Sequence, residues 1–430
     1  MQKILDKLNF KDRKTLIGFL SVVTAGQLIY SSFEAFKGTF YNLLLEVLNV
    51  SNAELGAIFG LIGISIFFYI PGGWINNRFS IKSILIVGLL IRFITISVII
   101  FFSPTFQVLK IIVIIWGIVD SFFWPAVLNG VIFFTDQSKR GMGFGLLESV
   151  RRAEEMLMNL LIVGIMSLVS GIVVFKGGML AYNLLIIPLI LLIIKYVPKN
   201  GIAAMDEEEK TEITGNKSLE ALKGLFYVLL KPKVWLASIS AMSIYWGYII
   251  LIYSVPYLQK TFDLSTTQTA LFGIFNTGLM GVLMGVSAGI ISDYVFKSSS
   301  KMIFAALLLS SIILLGVVFI KGSLFVSMAL LIAFSVTTFL AKSVILAPIA
   351  EFDIPKKYAG SAMSVGSFAA YAPIFWVYTM NGKLLDAHQD NVVEAYRIIF
   401  EIGIIVAFLG SVCTLILLML NRKSSRQVTE

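Results

Sequence analysis

Four residues near position 30 combine side chains that could bind and move a charged solute. Tyr30, Glu34, Lys37 and Tyr41 are spaced four, three and four residues apart, which places them on one face of a continuous helix. Lys37 could bind an anion, with Glu34 as its partner or as a group that carries a proton. The alternative is a Glu34–Lys37 ion pair that is purely structural.

A second charged stripe lies between positions 148 and 155. Glu148, Arg151, Arg152 and Glu155 follow the i, i+3, i+4, i+7 pattern of one helical face. Arginine binds a carboxylate or phosphate through two parallel N–H groups and stays charged at any relevant pH. Either arginine could therefore bind an anionic substrate. A network that only joins helices is the alternative for the whole stripe.

Single charges interrupt three other apolar stretches, at Arg92, Asp120 and Lys342. A charge at the centre of a bilayer costs at least about 2.5–3.5 kcal/mol, so each one requires a partner, water or a function. Asp120 is a candidate proton carrier or, alternatively, the permanent partner of Arg92. Lys342 is a further candidate for binding an anion.

Aromatic and amide side chains supply the remaining candidates for binding a polar organic molecule by stacking and hydrogen bonds. They are Trp124, Tyr248, Asn276 and Tyr371. Packing, or a position in the aromatic belt at the membrane surface, is the alternative for these residues.

The elements that carry these residues are strongly apolar. The chain has 430 residues, of which 58% are hydrophobic and 14% charged, which is too apolar for a soluble domain. Barrel strands would be shorter and would alternate in polarity. We predict an all-α membrane protein with twelve transmembrane helices of about 20 residues or more. The spans lie near 15–42, 53–76, 82–103, 108–134, 141–168, 171–197, 233–260, 267–293, 300–320, 323–350, 358–382 and 393–421.

The net charge of +9 has an uneven distribution along the chain. About two thirds of the 34 Lys and Arg residues fall in the termini and in the loops on one side of the predicted membrane. The positive-inside rule then places both termini and the central loop in the cytoplasm of a multi-pass protein of the cell membrane. The basic excess therefore reflects topology and indicates no nucleic-acid partner.

One long polar segment divides the chain into two halves. We predict a six-helix bundle over 1–197, a cytoplasmic loop over 198–232, a second six-helix bundle over 233–421 and a cytoplasmic tail over 422–430. A shift of about 216 residues aligns AIFG (57–60) with GIFN (273–276). Matches that keep their order indicate a parallel repeat, as in transporters built from two halves.

The loop GWINNRFSIK (73–82) resembles the signature of the major facilitator superfamily, in which Gly is followed by three residues, Asp-Arg, then Gly and basic residues. Here Gly73, Arg78 and Lys82 match, whereas Asn77 replaces Asp and Ser80 replaces Gly. The segments 69–83, 122–124 and 140–152 resemble the YihN-like branch, which is similar to transporters of organic phosphates and hexuronates. Counted from Arg140-Gly141, Arg151 falls where the glycerol-phosphate antiporters carry a substrate-contacting His. The resemblance therefore implies that Arg151 binds substrate, and we predict that Arg152 is structural.

This resemblance implies two pseudo-symmetric bundles and gating loops at the ends of the second and eighth spans. The gating residues are then Gly73, Asn77, Arg78 and Lys82, with Gly289 and Asp293 in the second half. The exchange of Asp for Asn77 weakens the first-half latch, and Asp293 still supplies one in the second half.

These features predict a secondary active transporter that moves a small polar, anionic organic solute by alternating access. The solute would be a sugar acid, a carboxylate or a sugar phosphate, because Lys37, Arg151 and Lys342 give a surplus of intramembrane cations. The alternative is a proton-coupled symporter or exporter of neutral sugars or lipophilic drugs. Protons or a counter-transported anion are the other expected partners of a monomer in the lipid bilayer.

Enzymes and receptors are disfavoured. The sequence has no phosphate-cradling GxxxxGK[ST] motif, and its one histidine, His388, lies in a predicted loop. We therefore expect no cofactor, no metal site and no enzymatic activity. A receptor would carry a larger extramembrane domain than the predicted loops provide.

Overall fold

The computed structural model describes residues 10, 12–68, 75–76, 78–135, 140–166, 168, 171–199, 226–320, 322–350 and 356–427. The regular elements in these ranges are all helical, which confirms the prediction of an all-α protein. The chain divides into two compact units, Met1–Glu207 and Glu208–Glu430.

The first unit contains the α-helices that carry most of the predicted charged residues. They are α1 (Arg13–Ser31), α2 (Tyr41–Leu48), α3 (Asn52–Ile62), α4 (Ile81–Phe102), α5 (Phe106–Phe134), α6 (Arg140–Met166) and α7 (Ile172–Tyr196). Short 3-10 helices lie at Glu34–Phe36 and Gly63–Phe68. Helix α1 packs against α5, α6 and α7, so it is the central element of this unit.

The second unit repeats this pattern of long helices and short connections. Its α-helices are α8 (Pro232–Leu251), α9 (Ser254–Phe262), α10 (Thr266–Gly273), α11 (Met280–Ile290), α12 (Ser299–Phe319), α13 (Leu324–Ser343), α14 (Ala347–Ala350), α15 (Lys356–Tyr371), α16 (Val377–Ala387) and α17 (Val392–Gln427). π-Helical turns follow α10 and α11, at Ile274–Leu279 and Ile291–Phe296.

Seven helical segments in the described ranges are long and apolar enough to cross a membrane. They are Ile81–Phe102, Phe106–Phe134, Ile172–Tyr196, Pro232–Phe262, Ser299–Phe319, Leu324–Ile349 and Gln389–Arg422. Their ends agree with seven of the predicted spans to within a few residues. Two bent helix pairs raise the number to nine at most, so the total of twelve stays a prediction.

The first predicted span, 15–42, is wrong as a continuous helix. Helix α1 ends at Ser31, whose hydroxyl donates to the carbonyl of Gln27 at 2.9 Å. Phe33 then leaves the helical region, with φ −147° and ψ −67°, before the 3-10 turn begins. An interrupted helix is tolerated at membrane depth where it is buried in protein, and Phe33 and Phe36 are both buried here.

The two units share a local structural repeat. Asn49 and Asp263 each end a helix in the left-handed region, with φ 52° and 49°. Two residues later, Ser51 and Ser265 each cap the next helix with a capping box, in which side chain and backbone exchange hydrogen bonds with the third helical residue. The same turn chemistry at equivalent positions agrees with a parallel duplication.

Small residues bring helices together in the second unit. A Cβ atom added at Gly410 of α17 would lie 2.5 Å from the Cβ atom of Ser243 on α8. One turn further along α17, the Thr414 hydroxyl donates to the hydroxyl of Ser240 at 2.8 Å. Close backbone approach and hydroxyl pairs are typical of helix association in membranes.

Candidate functional site

A buried charge cluster joins three elements of the first unit. Arg92 of α4 donates from Nη1 to Oε2 of Glu34 and from Nη2 to Oε1, both at 3.1 Å. The same Nη2 lies 3.8 Å from Oδ1 of Asp120 on α5. Arg92 is 1% exposed. The Arg92–Asp120 pair, one of the alternatives predicted from the sequence, is thus present. Glu34, for which Lys37 was the expected partner, also contacts Arg92.

An aromatic ring holds this guanidinium in place. The Cζ atom of Arg92 lies 3.9 Å from the ring centre of Trp116. The indole Nε1 of Trp116 in turn donates to the hydroxyl of Thr95 at 2.8 Å. Trp116 lies one turn before Asp120 on α5, so one helix supplies both the aromatic face and the second carboxylate. Sequence reasoning missed Trp116, although its i, i+4 spacing to Asp120 was a usable signal.

Arg151 of α6 contacts aromatic rings. Its Cζ atom lies 4.6 Å from the ring centre of Trp124 and 5.9 Å from that of Tyr30. The two rings meet edge to face, with centres 6.5 Å apart. The structure therefore brings together three predicted binding residues that come from α1, α5 and α6.

The neighbouring charges on α6 contact polar groups. Arg152 and Glu155 form an ion pair at 3.3 Å within the helix. Gln27 of α1 donates to Glu155 at 3.4 Å, and Thr24 donates to Glu154 at 2.5 Å. Thr24 and Gln27 were missed in the sequence, although polar residues three apart in an apolar helix indicate a buried polar face.

Lys37 and Tyr41 contact residues of α3, and Lys37 also acts electrostatically on Glu34. The Nζ atom of Lys37 is 5.6 Å from the ring centre of Phe59. The hydroxyl of Tyr41 donates to the side-chain oxygen of Asn52 at 3.0 Å. The prediction that Tyr30, Glu34, Lys37 and Tyr41 share one helical face is therefore wrong, because the break after Ser31 turns the later residues in other directions.

A cation in contact with tyrosine also occurs in the second unit. The Nζ atom of Lys342 on α13 lies 4.2 Å from the ring centre of Tyr248 on α8. Tyr248 packs against Tyr245, with ring centres 5.4 Å apart. Tyr245 meets Tyr371 of α15 at 4.9 Å. Lys342, Tyr248 and Tyr371, predicted separately, thus belong to one cluster.

Asn276 is buried in the π-helical turn that follows α10. Its backbone carbonyl accepts a hydrogen bond from the Ser335 hydroxyl. Within the described part of the chain, its side-chain oxygen and nitrogen have no hydrogen-bond partner. Buried amides are nearly always bonded, and π-helical turns are frequent at functional sites. Asn276 therefore remains a candidate ligand.

The predicted gating loops are described only in part. Gly73 and Asn77 lie outside the described residues, as do the side chains of Glu148 and Asp293. Gly289 lies on α11, and Arg78 is exposed.

Two polar residues of the first loop organise the start of α4. Lys82 donates a hydrogen bond to the carbonyl of Ile194 near the end of α7. Ser80 caps α4 by accepting a hydrogen bond from the N–H of Ser83 at 3.2 Å. A serine cap explains physically why this position tolerates the change from glycine.

These features define a class of protein. Long apolar helices with charged side chains buried between them are typical of a multi-pass membrane protein. The sequence model of the Major Facilitator Superfamily matches residues 4–377, and the chain belongs to this family. It is therefore a transporter with a small-molecule substrate and is not an enzyme.

Two bacterial proteins are similar along nearly the whole chain. The chain is 25% identical over 413 residues to the inner membrane protein YihN of Escherichia coli K12, covering 93% of this chain and 94% of YihN. It is 22% identical over 468 residues to the uncharacterized MG294 homolog of Mycoplasma pneumoniae, covering 96% and 95%.

Solved transporter structures share the fold. The nucleoside transporter NupG superposes with a TM-score of 0.69 at 12% identity, covering 95% of this chain and 99% of NupG. A bacterial homolog of the human lysosomal transporter Spinster, inward-facing and unoccupied, superposes with a TM-score of 0.70 at 11% identity, covering 96% and 98%. At these identities the likeness concerns the fold alone.

Proposed function

We propose that the protein is a secondary active transporter of a small anionic organic solute, namely a sugar acid, a carboxylate or a sugar phosphate. It works as a monomer in the cell membrane with both termini in the cytoplasm. The six-helix bundles 1–197 and 233–421 exchange inward- and outward-facing states, and the segments that begin at Gly73 and at Gly289 act as gates.

The observation that carries this proposal is the way the intramembrane cations divide. Arg92 and Arg152 contact carboxylates, at 3.1 Å and 3.3 Å. Arg151 and Lys342 contact aromatic rings, at 4.6 Å and 4.2 Å from the ring centres. Carboxylates of the protein neutralise the first pair. The rings that contact the second pair carry no net charge, and Arg151 also acts electrostatically on Glu154.

An aromatic contact is compatible with binding an anion. A ring engages the flat face of a guanidinium, whereas a carboxylate or phosphate is bound through the in-plane N–H groups. Trp124 and Tyr30 therefore orient Arg151 without competing for the geometry that an anion requires. The ammonium group of Lys342 has three N–H donors, so its contact with the Tyr248 ring does not require all of them.

The magnitudes favour a role in binding. A cation–aromatic contact stabilises by about 0.5–2 kcal/mol. A charge at the bilayer centre costs at least about 2.5–3.5 kcal/mol. A cation–aromatic contact therefore offsets only part of this cost, and an anionic solute at the site would offset more of it.

The test compares Arg151→Gln with Arg152→Gln, its neighbour on the same helix. Purified wild-type protein is first screened by thermal unfolding against sugar acids, sugar phosphates, dicarboxylates and neutral sugars. A ligand at 100 times its Kd stabilises the folded state by about 2.7 kcal/mol. We expect an anion to stabilise the wild type and Arg152→Gln, and to lose this effect in Arg151→Gln.

Two results would contradict the proposal. One is stabilisation by neutral sugars alone. The other is an anion response in Arg151→Gln that equals that of the wild type, which would remove Arg151 from the site. The folding of both purified variants is checked by gel filtration, so that a folding defect is not mistaken for lost binding.

A second candidate is proton-coupled movement of neutral sugars or lipophilic drugs. The observation that favours it is the unequal charge of the buried cluster, in which Glu34 and Asp120 face one guanidinium, that of Arg92. One bound proton would balance this cluster, and its release would leave an uncompensated carboxylate within the membrane. Uptake that is driven at pH 6 and abolished at pH 8 or by an uncoupler would favour this candidate.

A further inference from the structure

The first unit contains a cavity that none of the preceding functions uses. It has a volume of about 560 Å³ and lies between α1, α6 and α7. Leucines dominate its lining. Leu157 and Leu161 are each more than half exposed on the surface of the chain, and Leu192 is 41% exposed. In a membrane these side chains contact lipid, so the cavity is a groove that opens to the hydrocarbon.

The floor of this groove is polar and acidic. Glu154 accepts a hydrogen bond from Thr24 through Oε1 at 2.5 Å. Its other oxygen, Oε2, is buried and has no hydrogen-bond partner among the residues that the structure describes. The same holds for the hydroxyl of Tyr182, a residue that is 1% exposed and also lines the groove. Two residues that line the groove thus carry buried polar atoms that have no hydrogen-bond partner among the described residues.

Leaving these atoms without a partner costs free energy. A buried polar group without a hydrogen bond costs about 1–3 kcal/mol, and more if it is charged. Native structures contain few such groups, and each one requires an explanation. Two of them at the floor of one cavity indicate that the cavity receives a ligand with a polar end.

The depth of the floor excludes a phospholipid head group as that ligand. Glu154 and Tyr182 each lie at least ten residues from either end of their helices, which is about 15 Å or more along the helix. Head groups lie at the membrane surface, outside a hydrocarbon core of about 30 Å. The occupant must therefore place its polar group near the middle of the bilayer.

The charges at the floor of the groove indicate which polar group the ligand carries. Glu154 and Glu155 both act electrostatically on the Tyr182 hydroxyl. Among the described residues that line the groove there is no lysine or arginine, although Arg151 acts on Glu154 from one turn away on α6. An amine fits this arrangement, because its N–H can donate to Oε2 and it can also bond the Tyr182 hydroxyl. A fatty acid would be repelled by the carboxylate.

We infer that this groove is a binding site for lipophilic amines that enter from the bilayer. The apolar chain lies along the leucines of α6 and α7, and the nitrogen lies between Glu154 and Tyr182. This site lies within the first unit and does not depend on the proposed transport of an anion.

The test uses the whole protein in phosphatidylcholine nanodiscs, because detergent would compete for an apolar groove. The probe is dodecylamine with a diazirine at the end of its chain, and cross-linked peptides are identified by mass spectrometry. We expect cross-links on α6 and α7 that excess dodecylamine abolishes. Dodecanol and dodecanoate should compete far less, and phosphatidylethanolamine in the nanodiscs should not compete.

Two variants of the floor and one matched control make the test specific. Glu154→Gln should lower labelling by about tenfold or more, as expected for a lost hydrogen bond to a charged group. Tyr182→Phe removes only the hydroxyl and should lower labelling by about fivefold. Glu46→Gln removes a carboxylate at an exposed position of α2 that does not line the groove, and it should change labelling by no more than about twofold.

Equal labelling of Glu154→Gln, Tyr182→Phe and the wild type would overturn the inference. So would equal competition by dodecanol, since it would mean that only apolar contact holds the probe. Cross-links spread over all lipid-facing helices would also overturn it, because the probe would then contact the protein only as ordinary lipid does. Tyr182→Phe retains the ring that packs against Phe36 at 5.5 Å, so this variant is expected to fold as the wild type does.

Discussion

Arg92 and Glu34 are joined by two parallel hydrogen bonds of 3.1 Å, one from each terminal nitrogen of the guanidinium. This geometry is the strongest that an arginine and a carboxylate can adopt. It connects the middle of α4 to the 3-10 turn that interrupts the first span. The break after Ser31 and the ion pair are therefore linked, because a continuous helix would carry Glu34 in another direction.

Removing the shared arginine alone should destabilise the fold more than removing all three charges of the cluster. We expect Arg92→Met to lower the free energy of unfolding by about 3–5 kcal/mol, because it leaves two buried carboxylates without their cation. Adding Glu34→Gln and Asp120→Asn should restore most of this loss. SDS titration of purified protein measures the effect.

Arg397 provides the control for this series. It pairs with Glu394 and Glu401 at 3.3 Å and 3.9 Å, and both acids are more than 40% exposed. Arg397→Met should cost about 1 kcal/mol or less. Equal decreases in the free energy of unfolding for Arg92→Met and Arg397→Met would show that burial of the cluster does not affect stability.

Asp120→Asn separates the two candidate functions. If one proton balances the cluster, the variant should lose stimulation of uptake by a pH gradient in proteoliposomes while retaining exchange of labelled for unlabelled solute. Asp390→Asn, in an exposed 3-10 turn at Gln389–Asn391, should behave as wild type. Wild-type uptake that ignores the pH gradient would exclude the second candidate and leave anion exchange.

Lys342 should contribute to anion binding in the second unit. Lys342→Gln is expected to weaken binding of the stabilising anion by about tenfold or more, as for a lost charge-assisted hydrogen bond. Tyr248→Leu should weaken it by about two- to thirtyfold, because the cation–aromatic contact contributes about 0.5–2 kcal/mol. Lys260→Gln, on the exposed end of α9, is the control. Unchanged affinity in Lys342→Gln would remove this residue from the site.

Helix packing in the second unit gives a prediction that is independent of substrate. Gly410→Ala should destabilise the fold by about 1–3 kcal/mol, since its new Cβ would lie 2.5 Å from that of Ser243. Gly177→Ala on α7 meets no atom within 4 Å. It should be neutral or stabilising, because alanine favours a helix by about 1 kcal/mol over glycine. Denaturation of both variants side by side measures the difference.

Much of the fold could be predicted from the sequence, because hydrophobic length determines which segments can cross a bilayer. The spans at Ile81–Phe102 and Ser299–Phe319 agree with their predictions to within one residue. The break in the first span could not be predicted in this way, since Ser31 and Phe33 are as compatible with a helix as their neighbours. It depends on tertiary contacts that bury the interrupted segment.

The candidate site was predicted as a set of residues and not as a set of partners. Arg151 and Arg152 are adjacent and chemically identical in the sequence, yet one contacts Trp124 and the other Glu155. Their side chains have different neighbours, because the packing of α1 and α5 against α6 gives Arg151 its aromatic partners. That Arg151 binds substrate stays a prediction.

The sequence by itself determined that this chain is a helical membrane protein with a charged minority inside its spans. It could do so because burial in lipid acts on each segment through local composition. Only the tertiary structure decided that Arg92 serves both Glu34 and Asp120 and that Glu154 and Tyr182 share a groove. Such pairings join residues far apart in the chain, and their geometry follows from which helices lie side by side.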